Sequence, residues 1–546
     1  MQSMMTRSSW STENSKAQHS TALLLTSMFL ISISSLTANA EMWTVDDDRV
    51  QNPNAQFLTI QDAIDHAADG DLITIWPGTY VGIGTNPLTG LPNPVMRLEN
   101  RTLEIEGLEI DGEIVIIDGE HERRGIQCEV HGDDAHEISL TGLHVTRGRG
   151  VVFSDIPNDL TETYQSECGG GLLAYRIVLF VESCQFNASS SKWGGAAACY
   201  QSNINMTACS FKNNHSDHYA GALGIGNKSN IIVSGCQFQS NTARSGGAIS
   251  TRESMPLSSG INCNCEWNMG NNNCHPDDLC YYECDLDGNP LCLPCTADPI
   301  QCFGWIGGTW IIDSNLSDNS AVISGGAICV GGQLETNQGE NVRAYLSDCT
   351  LENNTTGKLG GALWAFGPTH LLITRCNIIA NQADVCFGQG GGIGGGGLAI
   401  QGADYARLTD CVLEGNGTSE DGGGLYALEN HLRVLRTQFT DNWAQGGDSE
   451  GGGLFVKDGW WTSMDGCSFV GNTASTRGGA ISTDKNTTAP FTILNTQFEQ
   501  NLAWYNQAMV CNSCNECWPD DPVYCQCDDG FGNSGPNIAQ NVQGGA

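Results

Sequence analysis

Glycine, apolar and asparagine positions follow one another in a fixed order along much of this chain. From Gly169 onward a pair of glycines precedes a short apolar run, and the pair returns at intervals of about 24 to 29 residues. The second glycine falls at Gly171, Gly195, Gly247, Gly326, Gly361, Gly397, Gly424, Gly453 and Gly479, and Gly221 after Ala220 completes the series. Self-similarity at such a period indicates a repeat fold in which each repeat is one structural unit.

Between the glycine pairs lies a second element, an apolar residue followed three positions later by asparagine. It occurs as Phe211/Asn214, Phe238/Asn241, Leu316/Asn319, Leu351/Asn354, Ile378/Asn381, Leu413/Asn416, Phe439/Asn442, Phe469/Asn472 and Phe498/Asn501. Two residues before the apolar position, most repeats carry cysteine, namely Cys184, Cys209, Cys236, Cys349, Cys376, Cys411 and Cys467. Three residues before the cysteine position every repeat is apolar. Period-two alternation within these short runs predicts strands, and the break in phase between runs predicts a bend.

Each repeat is therefore expected to form one coil of about three short strands whose apolar faces point inward. A single coil cannot bury its apolar face, so successive coils must stack. The glycine pair supplies backbone angles that a Cβ atom disfavours. The asparagines fall at the next bend, where they tolerate left-handed angles and stack amide on amide. The repeat cysteines are expected to form an inward column of buried free thiols.

A different pattern precedes the repeats. Residues 60–68 have apolar side chains at helical spacing, and residues 72–76, closed by the turn Pro77-Gly78, are predicted to form a strand. A short amphipathic helix ahead of a strand covers the open end of a strand stack and hides its unpaired edge.

These motifs together resemble the right-handed parallel β-helix repeat family of the pectin-lyase-like superfamily. The GGA/FxxN signature is similar to the repeats of chlamydial polymorphic outer membrane proteins. The segment TIQDAIDHAADGDLITIWPGTY resembles the N-terminal cap of secreted bacterial β-helix proteins. The resemblance implies an all-β chain that forms a single-stranded right-handed parallel β-helix with a short N-terminal capping helix. We expect a cap at 41–80, a β-helix at 81–510 interrupted by an insertion at 261–303, and a tail at 511–546.

The amino-acid composition and the N-terminal segment indicate where the protein acts and which partners it can bind. The chain carries 61 Asp+Glu against 24 Lys+Arg, a formal charge of -37, which repels phosphate backbones and excludes nucleic acid as a partner. Residues 21–36 form an uncharged apolar run followed by Ala38-Asn39-Ala40, which predicts a secretory signal peptide at 1–40 rather than a membrane anchor. We therefore expect a secreted or cell-surface protein without a transmembrane span after signal removal.

Two cysteine-rich segments lie outside the repeat pattern. The insertion carries Cys263, Cys265, Cys274, Cys280, Cys284, Cys292, Cys295 and Cys302, and the tail carries Cys511, Cys514, Cys517, Cys525 and Cys527. An exported chain favours disulfides in both, with metal binding as the alternative for the C-x-x-C-x-x-C run of the tail. Within the insertion, Asp285, Asp287 and Asn289 resemble the start of a calcium loop, although an ordinary acidic turn has the same pattern. The sequence establishes no cofactor and allows calcium.

The outward positions of the coils carry the candidate chemistry. Four residues before the cysteine position, successive coils carry Trp310, Tyr345, Leu372, Arg407 and Arg433, and at the following bend they carry Asp313, Asp348, Arg375, Asp410 and Arg436. Flat aromatic faces suit sugar rings, and arginine forks suit carboxylates or sulfates. Carboxylates one coil apart are able to hold calcium or act as acid and base. Such charged ladders also simply stabilise stacked strands.

Two functions follow from these positions. The first is adhesion or carbohydrate binding without catalysis, with a polysaccharide or cell-surface glycan as partner and Trp310, Tyr345, Arg407 and Arg433 as contacts. The alternative is a calcium-assisted polysaccharide lyase (pectate-lyase-like) or a glycoside hydrolase, with Arg375 or Arg407 near Asp313, Asp348 and Asp410. The best-known enzymes of this fold carry recognisable motifs. Polygalacturonases have NTD, DD and GHG segments on successive coils, and pectate lyases have an RxPxxR segment. This sequence has neither arrangement, which argues against these two activities. A third, purely structural role in a surface layer also fits.

Overall fold

The computed structural model describes most of the repeat region and the N-terminal cap. The described residues are 40–87, 90–132, 135–151, 167–226, 229–252, 308–331, 342–367, 369–383, 394–484 and 490–503, with the backbone of two short antiparallel hairpins. The hairpin strands are Cys280–Cys284 with Pro290–Pro294 and Tyr524–Asp528 with Ser534–Ala539. Residues 1–39 of the predicted signal peptide, the calcium candidates Asp285, Asp287 and Asn289, and most of the two cysteine-rich segments lie outside the described residues.

Four parallel sheets run along the described part of the chain, and we number them I to IV in the order in which a coil visits them. The fourteen strands of sheet I are Met42–Val45, Leu72–Ile75, Leu103–Gly107, Glu137–Thr141, Val178–Glu182, Asn203–Thr207, Asn230–Ser234, Thr309–Ile312, Val342–Ser347, Thr369–Thr374, Tyr405–Thr409, His431–Leu435, Trp461–Asp465 and Phe491–Leu494. The thirteen strands of sheet II are Gly78–Val81, Val115–Asp118, Leu143–Thr146, Gln185–Asn187, Ser210–Lys212, Gln237–Gln239, Asn315–Ser317, Thr350–Glu352, Asn377–Ile379, Val412–Glu414, Gln438–Thr440, Ser468–Val470 and Gln497–Glu499.

Sheets III and IV complete the wall within the same residues. The ten strands of sheet III are Ser190–Trp193, His215–Tyr219, Thr242–Ser245, Ser320–Ser324, Thr355–Thr356, Gln382–Ala383, Gly417–Thr418, Trp443–Ala444, Thr473–Ala474 and Leu502–Ala503. The twelve strands of sheet IV are Met96–Glu99, Ile126–Glu129, Leu172–Tyr175, Ala197–Tyr200, Leu223–Ile225, Ile249–Arg252, Ile328–Gly331, Leu363–Phe366, Leu398–Gln401, Leu425–Leu428, Leu454–Lys457 and Ile481–Thr483. Each strand pairs in parallel with its counterpart one coil away, so the chain is a parallel β-helix, as the sequence predicts.

The number of strands per coil changes along the solenoid. In the first coils the described residues form strands of sheets I, II and IV only, which matches the expected three strands. From Val178–Glu182 onward each coil adds a short strand of sheet III, so the estimate of about three strands is too low by one. The added strands are two to five residues long. Such short segments, lying between the asparagine and the glycine pair, carry little period-two signal.

The corners of each coil are turned by single residues with left-handed backbone angles. Between sheets I and II these are Ser183, Ala208, Gly235, Asp313, Asp348, Arg375, Asp410, Arg436, Gly466 and Asn495. Between sheets III and IV they are Gly194, Ala220, Gly246, Gly325, Gly360, Gly395, Gly422, Gly451 and Gly478, and Gly169 holds the equivalent position ahead of Leu172–Tyr175. One left-handed residue reverses the strand twist locally, which lets the next strand start on a new face after only one or two residues.

The second glycine of the pair is required for a different reason. Ala220 replaces the first glycine at φ 60°, so that position accepts a Cβ atom. The next position is glycine throughout, at Gly195, Gly221, Gly247, Gly326 and Gly361, because a Cβ atom there would overlap the carbonyl oxygen of the same position in the next coil. In repeats with three or more glycines this position is Gly170, Gly396, Gly423 and Gly452, one residue earlier than the sequence pattern suggests.

The inward faces form columns of like side chains. Phe186, Phe211 and Phe238 stack with ring centroids 5.0 and 4.6 Å apart, and Phe439 lies 4.4 Å from Phe469. The cysteine column is buried and its thiols are free, as predicted. Their Sγ atoms contact backbone carbonyl oxygens, as Cys349 does with the oxygens of residues 311 and 347, each at 3.2 Å. These cysteines therefore fill the core as small apolar residues.

The predicted asparagine stack is present, and it lies inside the wall. Asn381 illustrates the arrangement, since its Oδ1 accepts hydrogen bonds from the backbone N and the Nδ2 of Asn354, each at 2.9 Å. Its own Nδ2 donates to the Leu351 carbonyl oxygen and to Asn416 Oδ1, also at 2.9 Å. The expectation that these asparagines take left-handed angles is wrong, because that angle belongs to the residue before each of them, for example Asn353 at φ 55° and Ala380 at φ 52°.

The N-terminal helix spans Ile60–His66, two residues shorter than predicted. Thr59 caps it by accepting a hydrogen bond from the backbone N–H of Asp62, and Ile60, Ala63 and Ile64 are buried against the first coils. Asp71 clamps the segment after the helix, because its carboxylate accepts from the backbone N–H groups of Glu41 and Ala68. Among the described residues no helix has the length and apolar character needed to cross a membrane.

Candidate functional sites on the outer wall

The predicted outward stripe lies on the outer face of sheet I, in register. Trp310, Tyr345, Leu372, Arg407 and Arg433 pair coil by coil, and the rings of Trp310 and Tyr345 are 4.8 Å apart at 51°. The stripe is less accessible than the sequence suggests, because Tyr345 and Arg433 each keep 8% of their surface exposed. Trp310 and Arg407 are half-buried and present the accessible part of the stripe.

A second row on the same face escaped the sequence reasoning. Arg343, His370 and Tyr405 pair coil by coil two residues before the stripe, and His431 pairs with Trp461 in the coils that follow. Period-two alternation was the available signal, since residues two apart on a strand share a face. Together the two rows place aromatic rings and cationic groups side by side on a chain whose formal charge is -37.

The bend residues form ion pairs between adjacent coils. Arg375 Nε and Nη2 donate to the two carboxylate oxygens of Asp348 at 2.7 and 2.6 Å. Arg436 makes the same forked contact with Asp410, with both distances at 2.7 Å. Burial opposes ionisation of Asp348, but hydrogen bonds from Arg375 and Ser347 outweigh it, and the pKa of Asp348 is lowered. Hydrogen bonds from Arg436 likewise lower the pKa of Asp410.

These pairs give the bend ladder a structural role. Asp348 and Asp410 already bind arginine side chains at left-handed corners, so neither carboxylate is poised to accept a proton. Of the five ladder residues, only Asp313 and Asp348 are carboxylates in adjacent coils. The catalytic and calcium-binding roles expected for Asp313, Asp348, Arg375, Arg407 and Asp410 stay predictions.

A second pair of carboxylates lies at the corner that leads into sheet IV. Asp421 Oδ1 accepts a hydrogen bond from the Glu450 backbone N–H at 2.8 Å, and Glu450 Oε2 accepts one from Ser482 Oγ at 2.8 Å. Burial raises the pKa of Asp421 to about 7, and it also raises the pKa of Glu450. A carboxyl group that keeps its proton near neutral pH has the property that a general acid needs.

The surroundings of this pair are apolar. Tyr426 and Phe455 follow the two acids on the outer face of sheet IV, with ring centroids 5.5 Å apart. They are only 3% and 5% exposed, so they act as a satellite core beneath the corner. The low polarity of this cluster explains why the acids next to it resist ionisation.

Replacing Asp421 by asparagine is expected to stabilise the protein above pH 7. Because the folded-state pKa of Asp421, about 7, lies above its unfolded value, the folded chain binds this proton more tightly and stability falls as pH rises from about 4 to about 7. Asparagine keeps the acceptor for the Glu450 N–H without the charge, and we expect a gain of about 2–4 kcal/mol at pH 8 from a shift of this size. Urea unfolding at pH 5 and pH 8 measures it.

The matched variant Asp410→Asn should behave in the opposite way. The pKa of Asp410 is lowered by Arg436, so its ionised form supports the fold above the unfolded pKa, and that support is lost as pH falls through the folded pKa. Asp410→Asn should therefore lower stability at pH 8. A loss of stability for Asp421→Asn at pH 8 would contradict the assignment of its raised pKa.

The outer face of sheet III carries an open depression. His215, Thr242 and Ser320 lie in register in adjacent coils, and Asp217, Arg244 and Val322, two residues further along the same strands, also line the depression. His215 Nδ1 lies 2.8 Å from Thr242 Oγ1, and its Nε2 lies 3.3 Å from Asp217 Oδ1. Sequence reasoning missed this site, because it did not anticipate the strands of sheet III.

Comparison with known proteins supports the fold. Residues 305–503 match the family model described as the right handed beta helix region. No curated protein matches the sequence. The likeness to chlamydial repeat proteins stays a prediction.

Three solved structures show how far the similarity extends. The A-module of the mannuronan C-5 epimerase AlgE4 from Azotobacter vinelandii is 11% identical, with 86% of this chain and 95% of that chain covered and a TM-score of 0.32. The surface protein and adhesin PfbA of Streptococcus pneumoniae is 13% identical, with 82% and 94% covered and a TM-score of 0.32. The receptor binding domain of the Siphovirus 9NA tailspike is 8% identical, with 88% and 80% covered and a TM-score of 0.31.

Proposed function

Because this chain is a right-handed parallel β-helix protein, we propose that it acts at the cell surface or outside the cell by binding a polysaccharide or glycan along its wall, without catalysis. One observation carries the proposal, namely the two in-register rows on the outer face of sheet I, which combine Trp310, Tyr405 and Trp461 with Arg343 and Arg407. The predicted signal peptide supports export.

The arrangement suits an extended sugar chain. Coils repeat at about 4.8 Å, so equivalent side chains offer contacts at regular intervals along the solenoid. Aromatic faces cover the apolar faces of sugar rings, and guanidinium groups donate hydrogen bonds to hydroxyl or carboxylate oxygens. A contact surface on strands is also rigid, which limits the entropy lost on binding.

A second candidate is a glycoside hydrolase or a calcium-assisted polysaccharide lyase. Asp421, with a pKa of about 7, and the neighbouring Glu450 form the pair that favours acid–base chemistry. The original catalytic candidates, Arg375 or Arg407 near Asp313, Asp348 and Asp410, belong to this hypothesis too. Binding remains the first proposal because Arg375 and Arg436 already occupy two of these carboxylates.

The variants Trp310→Ala and Arg407→Gln test the binding face. Both side chains are half-buried on the wall, so we expect each variant to fold and to weaken the best polysaccharide ligand at least tenfold, which corresponds to about 1.4 kcal/mol. Tyr345 is a poorer choice, because its burial couples binding to packing. Ser463→Ala, in the same row, is the matched control and should leave affinity unchanged. Calorimetric titration measures the change, and unaltered affinity in both variants would discard this face.

A further inference from the structure

The depression on the outer face of sheet III has the polar groups of a ligand site. His215, Thr242 and Ser320 form one row across three adjacent coils. Thr355 Oγ1 donates to Ser320 Oγ at 3.1 Å, which leaves the Ser320 hydroxyl proton available to a ligand. The row lies on a different face from the two rows of sheet I.

Arg244 is the group that sets the chemistry of this depression. Arg244 is exposed and lines the depression, and no ion pair joins it to a carboxylate anywhere in the described ranges. On this strongly acidic chain, Arg375 and Arg436 are bound by Asp348 and Asp410. A planar guanidinium presents paired N–H donors that match the two oxygens of a carboxylate.

We propose that this depression binds a sugar residue that carries a carboxylate. The Arg244 guanidinium donates two hydrogen bonds to the two carboxylate oxygens, and the Ser320 hydroxyl donates to a neighbouring oxygen of the sugar. Val322, which is 71% exposed, covers an apolar patch of the ring.

The remaining groups select against other ligands. Asp217 Oδ1 faces His215 Nε2 at 3.3 Å, and its second oxygen is an acceptor for a sugar hydroxyl. Thr242 Oγ1, 2.8 Å from His215 Nδ1, offers a further acceptor. A neutral sugar leaves Arg244 without an oxyanion, and a densely charged polyanion meets Asp217 and the chain's formal charge of -37. A single carboxylate among hydroxyls therefore fits best.

The inference goes beyond the proposed function, because it adds an independent site with its own ligand class. Binding at sheet I alone would leave the depression empty. A variant on sheet I and a variant in the depression of sheet III therefore show at which of the two faces a ligand binds.

The test compares a xylotetraose that carries one glucuronic acid branch with the methyl ester of the same oligosaccharide, by calorimetric titration of the full chain. We expect the acid to bind and the ester to bind at least tenfold more weakly, since esterification removes the negative charge that Arg244 recognises. Arg244→Gln should lower affinity for the acid at least tenfold, and Arg244→Lys should restore part of it. Thermal unfolding checks that both variants fold.

Arg49→Gln removes an exposed arginine of the N-terminal cap, away from both proposed binding faces, and is the matched control. It should bind the acid as the unaltered chain does. Loss of acid binding in Arg407→Gln together with full binding in Arg244→Gln would overturn the proposal. Equal affinity for acid and ester, or no binding of the acid, would overturn it as well.

Discussion

Replacing Asn381 by alanine is expected to lower the free energy of unfolding by about 3–5 kcal/mol, since one buried side chain serves several backbone and amide groups. Its Oδ1 accepts from the backbone N and from the Nδ2 of Asn354, and its Nδ2 donates to the Leu351 carbonyl oxygen. Alanine leaves these three groups unpaired in a dry column, at a cost of about 1–3 kcal/mol for each unsatisfied group. Urea unfolding followed by circular dichroism measures the loss.

The neighbouring Asn353 supplies the matched control. It is exposed and holds the corner at φ 55°, and Ala188 and Ala380 occupy the same corner in other coils at φ 51° and 52°. Asn353→Ala should therefore cost less than about 1 kcal/mol. An Asn381→Ala variant as stable as Asn353→Ala would contradict the role given to the asparagine column.

Replacing Gly361 by alanine is the second change with a large expected effect. The added Cβ atom would overlap the Gly396 carbonyl oxygen of the next coil, so the two coils must move apart along the whole turn. We expect a loss of more than about 3 kcal/mol, as for other overpacked and strained sites. Thermal unfolding with a simultaneous check of solubility measures it.

Gly415 separates this steric effect from backbone strain. Gly415 has φ 62°, and a Cβ atom built there meets nothing within 4 Å. Gly415→Ala should thus cost only about 1–2 kcal/mol, the penalty of a left-handed residue. If Gly361→Ala proves no more destabilising than Gly415→Ala, close approach of the coils is not the reason for glycine at this position.

Much of the solenoid is readable from the sequence because its inward faces repeat. The positions of Phe211, Cys209 and Asn214 recur in each coil, and the structure stacks each class into its own column. Sheet III is not readable in this way, since its strands shrink to two residues in the later coils. The left-handed corners cannot be predicted from the sequence either. Ser183, Asp348 and Arg375 share one backbone conformation although their side chains differ.

The outer wall is harder to predict than the core. Counting back from the cysteine position of each repeat places Trp310 and Arg407 in one row, and the register of sheet I has the same alignment. The forked pair of Asp348 with Arg375 depends on the direction in which a left-handed corner aims its side chain, which spacing does not encode. The burial of Tyr345 and Arg433 depends on tertiary packing, and strand periodicity alone overestimates their exposure.

Carbohydrate binding without turnover is tested most directly by exposing the unaltered chain to a broad polysaccharide panel, with and without calcium. Binding is recorded on a glycan array, and products are followed as reducing ends and as absorbance of unsaturated sugars. We predict saturable binding to at least one polysaccharide and no product under either condition. Absence of binding across the panel, or release of product from any polysaccharide, would contradict the proposed function.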